Sequence, residues 1–308
     1  MRTRTFVFRV KKEGREYYVH EFVNEGKELS IISKGNLDKY YDVMFSFVME
    51  GRTFILGHDA QTRWCIFEMD EDGKLSSAVS SGTLDDFYPS LLSYQIDGKV
   101  YIFGQSKKTN KWFIREIILD AVAILDKKDI RSGEWNTFYP SMFTYSIDDS
   151  TYLFAQTDKY SHGGYYWFIQ RLLPGGKLDS AVRDGNGKNW GEFYQVLFPI
   201  TFKDKVYIFG HTRATGHGGH YWFIQELLPD GTLDSKVLDG NDKNWKNFWK
   251  TLPFTLNGRG FIYGQNSDDN RCFTQEVYSN GVLAETSTDI DEKDCFDVQV
   301  VFSTYKYI

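Results

Sequence analysis

Cysteine, cationic runs and long apolar stretches are all scarce in this chain, and each scarcity excludes something. Of 308 residues three are cysteine, Cys65, Cys272 and Cys295. An odd set spread over three repeats is not a disulfide framework. Lys and Arg never run beyond pairs and the formal charge is −6, which disfavours nucleic acid as a partner, since that would want a basic face. No run of 18 apolar residues occurs, so no membrane span is expected. The opening MRTRTFVFRVKKEG lacks an apolar core before a small-residue cleavage site and already reads as strand. A cytoplasmic protein, or one secreted without a cleaved signal peptide, is the expectation. No segment keeps a period of 3.6 residues between caps, which excludes a helical scaffold. Nucleophile-elbow, phosphate-cradling glycine and paired Cys/His motifs are missing as well.

What the chain has instead is repetition. Trp135, Trp190 and Trp245 stand 55 residues apart. Each opens a copy containing Trp-x-x-Phe followed by an aromatic residue, a Tyr- or Phe-led apolar run and a second strand ending in Gln or His. Such periods mean stacked supersecondary units. Looser copies begin at Asn36, with Leu37 in place of the tryptophan, and at Thr83, with Leu84. Within a copy, short runs rich in Val, Ile, Phe, Tyr and Trp are separated by Asp-Gly, Asn-Gly or Gly-Gly turns, the pattern of antiparallel hairpins. The copy from Thr83 reads as four strands: Tyr88–Ile96, Lys99–Gln105, Lys111–Ile118 and one near Ile124–Asp129.

Four antiparallel strands repeated radially predict an all-β, six-bladed β-propeller. Five blades are complete, at about 36–82, 83–133, 134–188, 189–243 and 244–290, and the sixth joins 291–308 to 1–35. In that blade Phe296–Phe302 is expected to supply the first strand and Thr5–Ile32 the other three, closing the ring without a covalent link. Closure protects edges that an open array would expose. The regular spacing leaves no linker, so one domain is expected over 1–308.

Loops held on such a scaffold carry function disproportionately. With strands lettered a to d, the a–b and c–d turns lie on one face and are minimal hairpins. The b–c and d–a connections lie on the other and are extended in blades three and four, so the site is expected there. Four sets of residues stand out. The end of strand b carries His58, Gln105, Gln156, His211 and Gln265, planar donor–acceptors able to bond sugar hydroxyls or, alternatively, the backbone of the neighbouring blade. Trp135, Trp190 and Trp245 can stack on a sugar ring or pack between blades, and the Leu37 and Leu84 variants favour packing. His162, His211, His217 and His220 cluster in the b–c connections without a zinc spacing. Asp-Gly-Asn segments from Asp184 and Asp239 lack the bidentate Glu of a calcium loop and suit turns. No metal or other cofactor is implied. A glutamate recurs on strand c, at Glu21, Glu68, Glu116, Glu226 and Glu276 with Arg171 as the exception, and is expected to form a structural ladder.

The run GKVYIFGQ, followed by a Trp-led strand, resembles the kelch repeat, with Gln or His where kelch strands carry a second Gly. Blade length and the Trp-x-x-Phe element are similar to tachylectin-2-type propeller lectins, a resemblance that implies sugar binding between blades at Trp135, Trp190 and Trp245. The combined expectation is a lectin-like, multivalent carbohydrate-binding propeller that is not an enzyme, its partners being glycans. A protein-interaction platform is the second reading, and an enzyme with a central-channel site the third.

Overall fold

The computed structural model describes residues 2–11, 14–161, 163–184, 189–202, 204–216, 219–239, 245–266, 271–290 and 296–306. Six antiparallel sheets form a six-bladed β-propeller, each strand pairing with the next in sequence. The inner strands are Val43–Met49, Ser90–Ile96, Ser141–Ile147, Val196–Thr201, Trp249–Leu256 and Phe296–Lys306. Each touches the next around the circle, and the last touches the first.

Closure occurs between the chain ends. Phe296–Lys306 pairs antiparallel with Arg2–Lys11, from Arg2 opposite Lys306 to Lys11 opposite Phe296, and Glu16–Val23 and Glu28–Asn36 complete that blade. The closing strands run a few residues beyond the expected Phe296–Phe302 and Thr5–Ile32. Blade two departs further. Its fourth strand is split into Ala123–Leu125 and Arg131–Glu134, both on Lys111–Leu119, instead of one strand near Ile124–Asp129. The connections expected as loops in blades three and four are largely hairpin. Ser150–Ser161 pairs with Gly164–Leu173 and Val206–Gly216 with Gly219–Leu227, each resuming after a break in register.

Flat sheets of alternating apolar residues bury themselves against one another, so the core is a ring of clusters between blades. Phe54, Leu56 and Ile66 of blade one meet Leu91, Ile102 and Phe113 of blade two. Phe154 and Ile169 of blade three meet Ile208 and Phe223 of blade four. The closing blade brings Phe6 and Phe8 to Ile55 and Phe67 on one side, and Val7 and Phe22 to Phe254 and Tyr263 on the other. Full burial of such side chains contributes about 1.5–3 kcal/mol each, and only neighbouring blades together achieve it.

A latch also repeats on the face of short turns. The c–d turn of one blade lies on a strand-b aromatic of the blade before. Tyr152 Oη donates to Pro229 O at 2.8 Å and Tyr207 Oη to Ser279 O at 3.1 Å. Gly231 has φ +79°, and a Cβ there would stand 2.6 Å from Tyr152 Cε1, whereas Gly98, with φ +74°, has nothing within 4 Å. On the same face the recurrent glutamates pair across to the start of strand b: Arg4–Glu21 at 2.7 Å, Arg52–Glu68 at 2.7 Å, Lys99–Glu116 at 2.9 Å, Lys205–Glu226 at 3.0 Å and Arg259–Glu276 at 2.5 Å. These are the expected structural ladder.

Gly231→Ala is expected to lower unfolding stability by about 1–3 kcal/mol, and Gly98→Ala, which carries only the backbone strain, by less. Urea denaturation of both variants checks this, and equal losses would remove the latch. A chain ending at residue 290 should lose its single cooperative thermal transition and aggregate, because Arg2–Lys11 becomes an open edge.

Candidate functional site

The Gln and His positions at the end of strand b prove to be inter-blade clamps. Gln105 is fully buried. Its Nε2 donates to Thr137 O at 2.8 Å and its Oε1 accepts from Tyr139 N at 3.0 Å. Gln156 repeats this with Glu192 O at 2.9 Å and Tyr194 N at 3.1 Å. His58 makes one such tie with a ring: Nε2 accepts from Tyr88 N of the next blade at 3.2 Å, so Nδ1 carries the proton, given to Arg63 O of its own blade at 3.2 Å. The glycine before the clamp in blades two, four and five makes room for a strand-c phenylalanine ring. A Cβ on Gly104 would stand 2.6 Å from Phe113 Cε1. Hydroxyls on the inner strands add a second set of ties, with Ser90 Oγ donating to Tyr139 O and Ser141 Oγ to Tyr194 O, both at 2.9 Å.

The tryptophans pack. Trp135 lies 5.5 Å from Phe103 and 5.3 Å from Phe168 between blades two and three. Trp190 is 5.5 Å from Phe154 and 5.1 Å from Phe223. Trp245 is 5.6 Å from Phe209 and 5.3 Å from Phe273. Among the sequence-predicted histidines only His211 and His220 come together, ring centroids 6.1 Å apart, with His220 Nδ1 held by Arg213 O at 3.0 Å. His162 and His217 lie outside the described residues, as do the Gly-Asn centres of the Asp-Gly-Asn segments. Among the described residues no three metal-ligating side chains converge.

The regular pattern breaks at the entry to blade five. Ser141 lies six residues after Trp135 and pairs with Gln156, and Val196 lies six after Trp190 and pairs with His211. Lys250 pairs with Gln265 only five residues after Trp245. The shorter connector draws the strand forward, and the clamp into this blade loses a bond. His211 meets Trp249 O at 3.4 Å through Nδ1, while its buried Nε2 and the buried Oε1 of Gln265 have no partner. The Thr251 hydroxyl, only 4% exposed, has none either. Buried polar groups are normally paired, so these atoms depart from the rule, as do the Tyr94 and Tyr145 hydroxyls in other blades.

Beside this break the central channel opens into a cleft of about 310 Å³ on the face of the b–c and d–a connections. It is lined by Pro140–Met142, Gln195–Phe198 and Lys250–Leu252. Met142, Leu197 and Leu252 give an apolar floor; Gln195 and Lys250 are exposed at the rim. Gln195 Oε1 accepts from Arg213 N at 2.7 Å, which orients its amide. Among the described residues no Asp or Glu lines the cleft. Sequence reasoning placed the site on this face but missed these residues, whose only signal was the single-residue deletion in the connector.

No family model matches the chain, and no curated protein is similar to it in sequence. Several solved structures share the fold. A protein described as a candidate 6-phosphogluconolactonase from Bacteroides fragilis is 13% identical with a TM-score of 0.58, the match covering 99% of this chain and 98% of that one. A thermostable family-43 glycoside hydrolase is 11% identical at TM-score 0.52, covering 83% and 95%. An endo-1,4-β-xylanase from Bacteroides thetaiotaomicron is 11% identical at TM-score 0.50, covering 82% and 98%. Likeness at this identity is likeness of fold. It lends no support to the kelch or tachylectin-2 resemblance. The expectation of a lectin-like, non-catalytic propeller is corrected: the propellers it resembles bear the names of enzymes, and the glutamines and tryptophans meant to bind one sugar per blade are spent on holding blades together. Among the described residues no helix is long and apolar enough to cross a membrane.

Burial holds the His58 imidazole below its ordinary value and pushes His211 down to about 3. Both rings are neutral when folded, whereas in the unfolded chain they titrate near 6.5. The unfolded state therefore binds the extra proton as pH falls. Stability from these clamps is complete above about pH 6.5 and is lost toward their folded values. His211→Gln, the residue found at Gln105, Gln156 and Gln265, is expected to remove up to about 1.4 kcal/mol per pH unit of that slope. Unfolding free energies measured at pH 7, 6 and 5 check this; an unchanged slope would contradict it.

Proposed function

We propose that this propeller is a hydrolase for a carbohydrate-derived substrate held in the channel mouth of blades three to five. The observation that carries the reading is the cleft of about 310 Å³, where a lysine and an oriented amide stand at the rim of an apolar floor. Concave, mostly apolar sites with a few convergent polar groups are where small ligands bind. Supporting it, the names borne by propellers of similar fold refer to sugar chemistry.

The donor set suits a carbonyl substrate, in particular the cyclic ester of a sugar acid. Water adds to the carbonyl carbon, charge develops on the carbonyl oxygen, and donors aimed at that oxygen lower the barrier. Lys250 Nζ is the group assigned that role, and Gln195 orients the ring. The ring oxygen then leaves with a proton, giving the open hydroxy acid. Glycosidic cleavage fits less well, because it uses two carboxylates across the scissile bond and the described residues lining the cleft include none.

Hydrolysis of a panel of sugar lactones, followed by proton release alongside chromogenic glycosides, tests the reading. Lys250→Met is expected to lower kcat/KM for the best lactone by about 100-fold, the scale of one lost oxyanion donor, with the thermal midpoint unchanged. A wild-type protein inert on every lactone, or a variant of full activity, would overturn it.

A further inference from the structure

A second pocket lies outside the channel, in the flank of blade five. It has a volume of about 220 Å³, and Trp245, Lys246, Asn247, Trp249, Arg271 and Asp289 are among its lining. It lies at a position that varies through the repeat. The residue before the first clamp-paired position of strand c is Arg63 in blade one, Lys111 in blade two, Tyr166 in blade three, Tyr221 in blade four and Arg271 in blade five. In blade three that tyrosine fills the space. Tyr166 Oη donates to Asp184 Oδ2 at 3.3 Å, and its ring lies 6.5 Å from Tyr139. Asp289 is the counterpart of Asp184, since Asp184 pairs with Phe168 and Asp289 with Phe273. Trp249 is the counterpart of Tyr139, standing edge-on to Phe273 at 4.8 Å as Tyr139 does to Phe168 at 5.0 Å. With arginine in place of tyrosine the ring is gone, and the guanidinium instead lies over Trp249, 5.9 Å from its centroid. The floor is rigid, because Gln275 Nε2 donates to Ala284 O at 2.6 Å.

We propose that this pocket binds a single pyranose ring bearing a carboxylate, a uronic acid. Each part of the ligand has its match. Arginine takes a carboxylate in a planar, two-pronged fashion that a point charge cannot reproduce, and Lys246 adds a second cation at the rim. Trp249 offers an aromatic face to the apolar side of the ring. The Asp289 carboxylate accepts ring hydroxyls, which a bare aromatic acid lacks, and Asn247 supplies both a donor and an acceptor. The volume accommodates one ring rather than a chain. The site stands independently of catalysis in the channel mouth.

The test is equilibrium titration of the intact protein with D-glucuronate, D-glucose and benzoate, read by tryptophan fluorescence and by calorimetry. Glucuronate is expected to bind at least tenfold more tightly than either control. Arg271→Met should erase the advantage of glucuronate over glucose, and Asp289→Asn the advantage over benzoate. Both residues are exposed, so the variants should melt with the parent. Lys99→Met, on the opposite face, should leave all three affinities unchanged. Equal binding of glucuronate and glucose, absence of glucuronate binding, or an Arg271→Met protein that still prefers glucuronate would each overturn the proposal.

Discussion

The structure depends on a buried side chain of one blade completing the backbone hydrogen bonds of the next. A propeller blade satisfies its internal groups through its own ladder, but the connector that leads into the following blade has none. Gln105 and Gln156 supply one donor and one acceptor to that connector, in the geometry of a strand pair. A neutral imidazole supplies only the acceptor at His58, its ring N–H going to Arg63 O of its own blade. Because these groups are buried, losing one bond exposes a full desolvation cost of about 1–3 kcal/mol. The clamps therefore fix where each inner strand begins, and through that the width and lining of the channel.

That constraint explains why one irregularity has wide effects. A connector shortened by one residue before Lys250 shifts the inner strand against the fixed end of strand b. His211 loses the partner that the other clamps keep, and the threonine hydroxyl of the same strand goes unpaired. Lys250 lies at the mouth of the channel, as do Pro140 and Gln195 at the same distance from their tryptophans, and the same blade carries Arg271 where blades three and four carry a tyrosine. The junction into blade five therefore lacks a tie that the junctions at Gln105 and Gln156 keep.

Much of the fold was legible in the sequence. Trp135, Trp190 and Trp245 gave the period, the Asp-Gly and Gly-Gly turns gave the hairpins, and the two unmatched ends gave the closure between Phe296–Lys306 and Arg2–Lys11. The split outer strand of blade two was not legible, since Ala123–Leu125 is too short to carry a pattern. The site was less so. Gln105 and Trp135 have the chemistry of sugar binding and of packing alike, and composition cannot separate the two uses.

What the sequence alone determined is whatever repeats: strand number, turn positions, the ring and its non-covalent seam. Periodicity is a property of the chain, and each copy confirms the others. What only the tertiary structure decided is the use made of each polar and aromatic side chain. That depends on whether a neighbouring blade or solvent lies opposite, a relation between residues about 30 to 50 apart, as between Gln105 and Tyr139 or Ser141 and Tyr194. The channel mouth and the Arg271 pocket lie where that relation departs from the repeat, so packing, and not pattern, made them visible.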